Sequence, residues 1–346
     1  MDQHETDWVT LLAGNDRRGA GPGTRKSPPQ DLLWKASLPE AVRSSPVLRE
    51  DVLYVTCRDG CLYALDSRTG RQRWTFQAAA AIDSTPSLSG NLVLFGCDDG
   101  KVYAVEGTAG RLQWTAETGG PVWTSPAVQA GTVYCGSTSG TFAAIDRSTG
   151  AVRWRRQLGG RICSSAYVAG RLVYVGCSDG NIHALDTASG KDAWSYQTGE
   201  GVSASPAVAG SLVLAGSEDH VFYALDAESG RVTWSVVTDL GIASSAAVAD
   251  GKVFFGGKDG HMYALSITDG RQVWKSRSFR TITAPPLAGP SVVCIQTFYG
   301  TTQAFDASSG EELWRASLGA SLQSTPVLTN EAVYLASYPG VIYALR

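Results

Sequence analysis

The sequence predicts an all-β protein, an eight-bladed β-propeller built of four-stranded antiparallel blades. Tryptophan stands at positions 34, 74, 114, 154, 194, 234, 274 and 314, so one unit of 40 residues is made eight times without insertion or deletion. Each unit holds short β-branched and aromatic runs of strand type. Glycine-closed turns punctuate those runs at fixed positions. Four short strands per unit of this length make a propeller blade. The 346 residues would suggest two domains by length alone, but a closed ring of repeats overrides that prior.

The first blade shows how each element arises. Val42 to Leu48 reads as a first short segment, ending after Ser44-Ser45-Pro46. Val52-Leu53-Tyr54-Val55 reads as a second strand, and Arg58-Asp59-Gly60 as a tight turn. Leu62-Tyr63-Ala64-Leu65 follows as a third strand. Asp66-Ser67-Arg68-Thr69-Gly70 closes it, the aspartate bonding backbone amides ahead of it and the glycine taking a positive φ. A fourth strand, Arg71 to Gln77, carries Trp74. The turn glycine of Gly60 returns in every other copy but one, where His220 stands instead. The last copy stops at Val341-Ile342-Tyr343-Ala344-Leu345-Arg346, three strands without a fourth. Leu32-Leu33-Trp34-Lys35-Ala36 is expected to supply the missing strand and close the ring, leaving no sheet edge. The expected organisation is a leader over residues 1–30 packing on the ring, then a single propeller over 31–346.

The residues Gly60-Cys61-Leu62-Tyr63-Ala64-Leu65-Asp66, Thr69-Gly70 and Trp74 resemble the repeat of the pyrroloquinoline-quinone-like propellers. That family includes quinoprotein dehydrogenases and BamB-like outer-membrane assembly lipoproteins. The leader, Asp7-Trp8 through Gly14-Asn15-Asp16-Arg17, also resembles the N-terminal signature of bacterial members, so the likeness covers about residues 7–346. WD repeats are a poorer match, because Gly-His and Trp-Asp pairs do not recur. Kinship with the dehydrogenases would imply redox chemistry, but their adjacent-cysteine ring, inserted loops and Cys-x-x-Cys-His haem motif are missing from the sequence. Quinone-dependent oxidation is therefore not expected, and neither a cofactor nor a metal is expected. The assembly role lacks its lipobox and export signal in this sequence.

Composition narrows the partners. The net charge of −3, from 29 basic and 32 acidic residues, gives no electrostatic footprint for nucleic acid or an anionic membrane. No run approaches the roughly 18 apolar residues of a membrane helix. The polar, acidic N-terminus is unlike a secretory signal. Seven cysteines, an odd number with no Cys-x-x-Cys or adjacent pair, read as small buried thiols in a reducing cytoplasm. A cytoplasmic monomer is expected.

Scaffold and site are separable by asking where the repeats agree. Trp34, Trp74, Trp114, Trp154, Trp194, Trp234, Trp274 and Trp314 never vary, and read as the docking residues between blades. Function belongs where the copies differ. Alternating strand directions put the fourth-to-first and second-to-third connections on one face, at the mouth of the central channel, and loops on a rigid scaffold carry binding groups. One variable column there reads Arg43, Asp83, Trp123, Cys163, Ser203, Ala243, Thr283, Gln323, beside an unvarying apolar column that begins with Val42, Ile82 and Val122. A second reads Arg58, Asp98, Thr138, Ser178, Glu218, Lys258, Phe298, Tyr338. Glu40, Arg161, Glu200, Asp239, Arg280 and Tyr299 lie nearby.

Arg43, Asp83, Trp123, Arg161 and Arg280 form a candidate funnel for an anionic or aromatic ligand, through guanidinium pairing and stacking. Phe298 and Tyr299, in the divergent seventh blade, are a candidate wall of that site. Asp83, Glu200 and Cys163 are the candidate catalytic groups, although Cys163 shows no partner base. His183, His220 and His261 fall in different blades without a shared metal-ligand spacing. Two functions follow. One is a scaffold binding a protein or a ligand on its loop face. The alternative is a cofactor-independent enzyme of, for example, a bacterial biosynthetic pathway, using acid and base groups at the funnel on a small metabolite.

Overall fold

A computed structural model describes residues 31–278, 280–297, 300–317, 324–329 and 331–346. The leader over 1–30 lies outside the described residues, as do Phe298, Tyr299 and Gln323. All regular structure among the described residues is β, in eight four-stranded antiparallel sheets. Blade one comprises Val47–Arg49, Val52–Thr56, Cys61–Asp66 and Gln72–Gln77, and blades two to seven repeat it. In blade eight the chain ends meet: Leu32–Ser37 pairs antiparallel with Val341–Leu345, placing Trp34 opposite Ala344. Asp31 and Arg346 complete the seam with reciprocal backbone hydrogen bonds of 3.0 and 2.8 Å. The ring is closed as expected.

The first segment of each blade is shorter than the sequence suggests. Only Val47–Arg49 is strand, and the preceding stretch from Ala41 is irregular. Pro46 has no N–H to give a ladder, and the N–H of Ser45 is spent elsewhere, on the Thr85 hydroxyl of the next blade at 2.9 Å. That bond recurs from Ser125 to Ser165, Ser165 to Ser205, Ser205 to Ser245, and across the chain ends from Thr325 to Ser45. Hydroxyl-bearing residues thus link neighbouring blades around the channel. Pro285 has no hydroxyl to offer, and at that junction Ser244 instead donates to the Ala284 carbonyl at 3.0 Å.

The core lies between blades. Leu94, Val102 and Ala104 of blade two pack with Val133, Cys135 and Ile145 of blade three, and the same pairing is repeated round the ring. Each tryptophan of the outer strand reaches across such an interface. Trp74 Nε1 donates to the Gly107 carbonyl at 3.0 Å and Trp114 Nε1 to the Arg147 carbonyl at 2.8 Å. From Trp34 to Trp274 the acceptor is always 33 residues ahead, in the turn of the next blade. The turn must come close: a Cβ on Gly70 would lie 2.5 Å from the Trp34 ring, and one on Gly110 2.6 Å from that of Trp74. Within its own blade each indole stands opposite an alanine, Ala64 for Trp74, which leaves room for the ring. Seven of the eight tryptophans, Trp34 to Trp274, make this cross-blade bond.

Candidate functional site

The two loop families do share one face. The N–H of Arg58 donates to the Ala41 carbonyl at 3.0 Å, and Asp98 to Ala81, Ser178 to Arg161 and Lys258 to Gly241 repeat the bond. The apolar column explains why the variable one faces the mouth. Val122 and Ile162 are fully buried against Gly96 and Gly136, where a Cβ would approach within 2.2 and 2.3 Å. That plug fixes the loop and leaves the following residue, Trp123 or Cys163, turned outward and exposed.

A linked belt of charged and aromatic side chains results. Asp83, its side chain 10% exposed, receives the Arg58 guanidinium and, at 3.4 Å, Arg43 Nη1. The Arg43 guanidinium lies 5.5 Å over the ring of Tyr338, so the contact crosses from blade one to blade eight. Hydrogen bonding to Asp83 raises the pKa of Arg58, which also feels the charge of Asp98. Asp98 Oδ1 accepts from Trp123 Nε1 at 2.8 Å, and the Arg161 guanidinium stands 5.1 Å over that indole. Trp123 and Tyr338 are each 39% exposed. Their rings are thus held by partners while still presenting a face to solvent. One acceptor is unfilled: Asp83 Oδ1 is buried and has no hydrogen-bond partner.

Of the five funnel residues, Arg43, Asp83, Trp123 and Arg161 fall in this belt. Arg280 precedes blade seven, across the ring from Trp123 on the loop entering blade three, and is exposed. Glu200 is exposed on the loop before blade five, its backbone carbonyl accepting the Thr198 hydroxyl at 2.5 Å. Cys163 departs from the expectation of buried thiols, because its side chain reaches solvent. Desolvation raises its thiol pKa against the lowering effect of Arg161, which leaves it protonated and a weak nucleophile at neutral pH. The other six cysteines are buried free thiols. Across the mouth, Glu218 takes the Lys258 ammonium at 2.6 Å and the Ser203 hydroxyl at 3.0 Å. Arg58, Asp98 and Tyr338 also line the mouth here, although their sequence column alone does not single them out. The signal was their shared column; what it lacked was the register between columns of neighbouring blades.

Closed ring, docking tryptophans and variable mouth together define the class: an eight-bladed pyrroloquinoline-quinone-like β-propeller. The chain belongs to the family of the β-propeller of β-alanine-activating enzyme, whose family model matches residues 127–346. Residues 28–122 match the model of outer membrane protein assembly factor BamB. BamB from Moraxella catarrhalis is similar in structure, with a TM-score of 0.80 at 19% identity, over 91% of this chain and 99% of that one. Quinohemoprotein alcohol dehydrogenase from Comamonas testosteroni matches with a TM-score of 0.81 at 17% identity, over 98% of this chain and 80% of its own. The computationally designed protein Ika8 matches with a TM-score of 0.79 at 18% identity, over 89% and 97%. No curated protein sequence matches significantly.

Proposed function

We propose that the protein is a cytoplasmic, monomeric binding scaffold that engages a protein partner through the mouth of its ring, without quinone-dependent redox activity. One observation carries the reading: two neighbouring clusters, Tyr338 with Arg43, Asp83 and Arg58, and Asp98 with Trp123 and Arg161, which line the mouth loops from blade eight to the start of blade four. Exposed tryptophan, tyrosine and arginine, already held in place by neighbours, are the residue types that dominate binding energy at protein interfaces. Because the rings are fixed before binding, little side-chain entropy remains to be lost. BamB is by name an assembly factor, and the other family model is the propeller of an activating enzyme; a propeller that serves as a platform suits both. The free, unadjacent cysteines suit a reducing compartment.

A second reading, the cofactor-independent enzyme, draws on Asp83. Its unpartnered Oδ1 beside two guanidinium groups would accept an O–H or N–H from a small ligand that also offers negative charge.

The test compares wild type with Arg43→Ala, Trp123→Ala and Tyr338→Ala, first in co-purification from cells and then in native mass spectrometry against a metabolite extract. The scaffold reading expects a protein partner whose affinity falls by about 2 kcal/mol, roughly 30-fold, in each variant. A small molecule held by wild type and lost in Arg43→Ala would favour the enzyme. Partners retained equally by all three variants would remove the mouth from the account.

A further inference from the structure

Blade four contains an arrangement found in no other blade. Five turns carry an aspartate three residues past the end of the second strand, and in four of them the residue four positions on is tyrosine. Its hydroxyl donates to the aspartate: Tyr63 to Asp59 at 2.6 Å, Tyr103 to Asp99 at 2.6 Å, Tyr223 to Asp219 at 2.8 Å and Tyr263 to Asp259 at 2.5 Å. In blade four the aspartate is Asp179 and the tyrosine is replaced by His183. Two residues before Asp179 stands Cys177, fully buried.

As a mere substitute for tyrosine, His183 performs badly. Its Nε2 reaches Asp179 Oδ2 at only 3.4 Å, and its Nδ1 is buried with no hydrogen-bond partner. An orphaned buried polar atom costs the fold its full desolvation. What the exchange does bring together is a thiol, a carboxylate and an imidazole. Their ligand atoms all lie within 4.8 Å of one another, and the carboxylate and imidazole side chains are only 15% and 11% exposed.

We propose that Cys177, Asp179 and His183 bind a divalent zinc ion. Sulfur, carboxylate oxygen and imidazole nitrogen are the donors zinc takes, with bonds of about 2.0–2.3 Å, and three protein ligands leave a fourth position for water. At those bond lengths ligand atoms stand about 3.3–3.6 Å apart, a spacing the His183 Nε2 and Asp179 Oδ2 pair already has at 3.4 Å, and binding expels the thiol proton to solvent. The carboxylate is already oriented: its Oδ1 accepts the Asn181 N–H at 2.9 Å and its Oδ2 the Gly159 N–H at 3.1 Å. Gly159 lies on the loop that also carries Arg161, whose N–H donates to Ser178 Oγ at 2.7 Å. An ion here therefore tightens the loop that sets Arg161 over Trp123. The comparable group in blade six, Asp239, Asp259 and His261, already has a cation, since Lys275 Nζ lies 2.9 Å from Asp239 and 3.8 Å from Asp259.

The repeat itself supplies variants that preserve folding. His183→Tyr restores the residue of five other blades, and Cys177→Ser places the serine found at Ser137, Ser217 and Ser337. The full chain, purified under reducing conditions and stripped with a chelator, is titrated with zinc by calorimetry and with cobalt(II) by absorption. The expected result is stoichiometric zinc binding, and for cobalt a thiolate charge-transfer band that Cys177→Ser abolishes. His183→Tyr should weaken binding by about tenfold or more while unfolding at or above the wild-type temperature. No saturable binding by wild type, or binding unchanged in His183→Tyr and Cys177→Ser, would overturn the site.

Discussion

At His220 the backbone takes φ of +72°, where seven other blades place glycine in the same turn and its described counterparts have φ between +75° and +88°. An L side chain in this region costs about 1–2 kcal/mol, offset partly by the extra freedom that glycine has when unfolded. His220→Gly should therefore stabilise the protein by about 0.5–1 kcal/mol, seen as a raised midpoint in urea. The turn aspartates make a second residue-level case. Asp66 is held down to about 2 chiefly by the Arg73 guanidinium and then by the Thr69 hydroxyl, and Asp306 to about 2 chiefly by the Ser308 hydroxyl. A depressed carboxylate contributes stability that is complete above its unfolded pKa and is lost as pH falls through the folded one. Thermal unfolding should thus lose that contribution from about pH 4 down to about pH 2, and Asp66→Asn with Asp306→Asn should flatten the slope there. Such turns were legible in the sequence because each is local. Arg58, Tyr338 and the Ser45 column were harder, because their partners sit in the next blade and single serines read as ordinary turn residues.

Among the elements, the turn of one blade and the tryptophan of the blade before it act as one joint. Gly110 and Gly131 both have positive φ, +69° and +74°, but a Cβ on Gly110 would meet the Trp74 ring at 2.6 Å while one on Gly131 would meet nothing within 4 Å. Gly131→Ala should cost only the conformational penalty of about 1–2 kcal/mol, and Gly110→Ala about 1–3 kcal/mol more through overpacking. Equal unfolding midpoints for the two variants would contradict the joint. The tryptophan period made this column visible, since nothing but a shared interface keeps one residue constant through eight copies. The inner strand was overestimated for an equally physical reason. Val42 is apolar, but it is a plug that anchors a loop, and Pro46 together with the cross-blade bond of Ser45 delays the ladder until Val47.

For the molecule as a whole, closure by Leu32–Ser37 makes stability depend on both ends of the chain. Deleting residues 31–38 exposes the edge of Val341–Leu345 and removes Trp34 from its dock on Ser67. Size-exclusion chromatography should then find polymers or unfolded chain, and a cooperative monomer would refute closure as a requirement. The ring also explains why fold was so much more legible than function. Identical blades repeat their structural residues eight times, whereas the mouth belt is written once, in residues far apart in sequence such as Arg43 and Tyr338. The measurement that tests the mouth most directly is photo-crosslinking in cells. A photoreactive residue replaces Thr138 on the mouth face or, as control, Ser211 in the opposite turns, with and without Trp123→Ala. The account predicts a discrete protein adduct from position 138 that Trp123→Ala abolishes, and none from 211. Adducts from both faces alike, indifferent to Trp123, would contradict it.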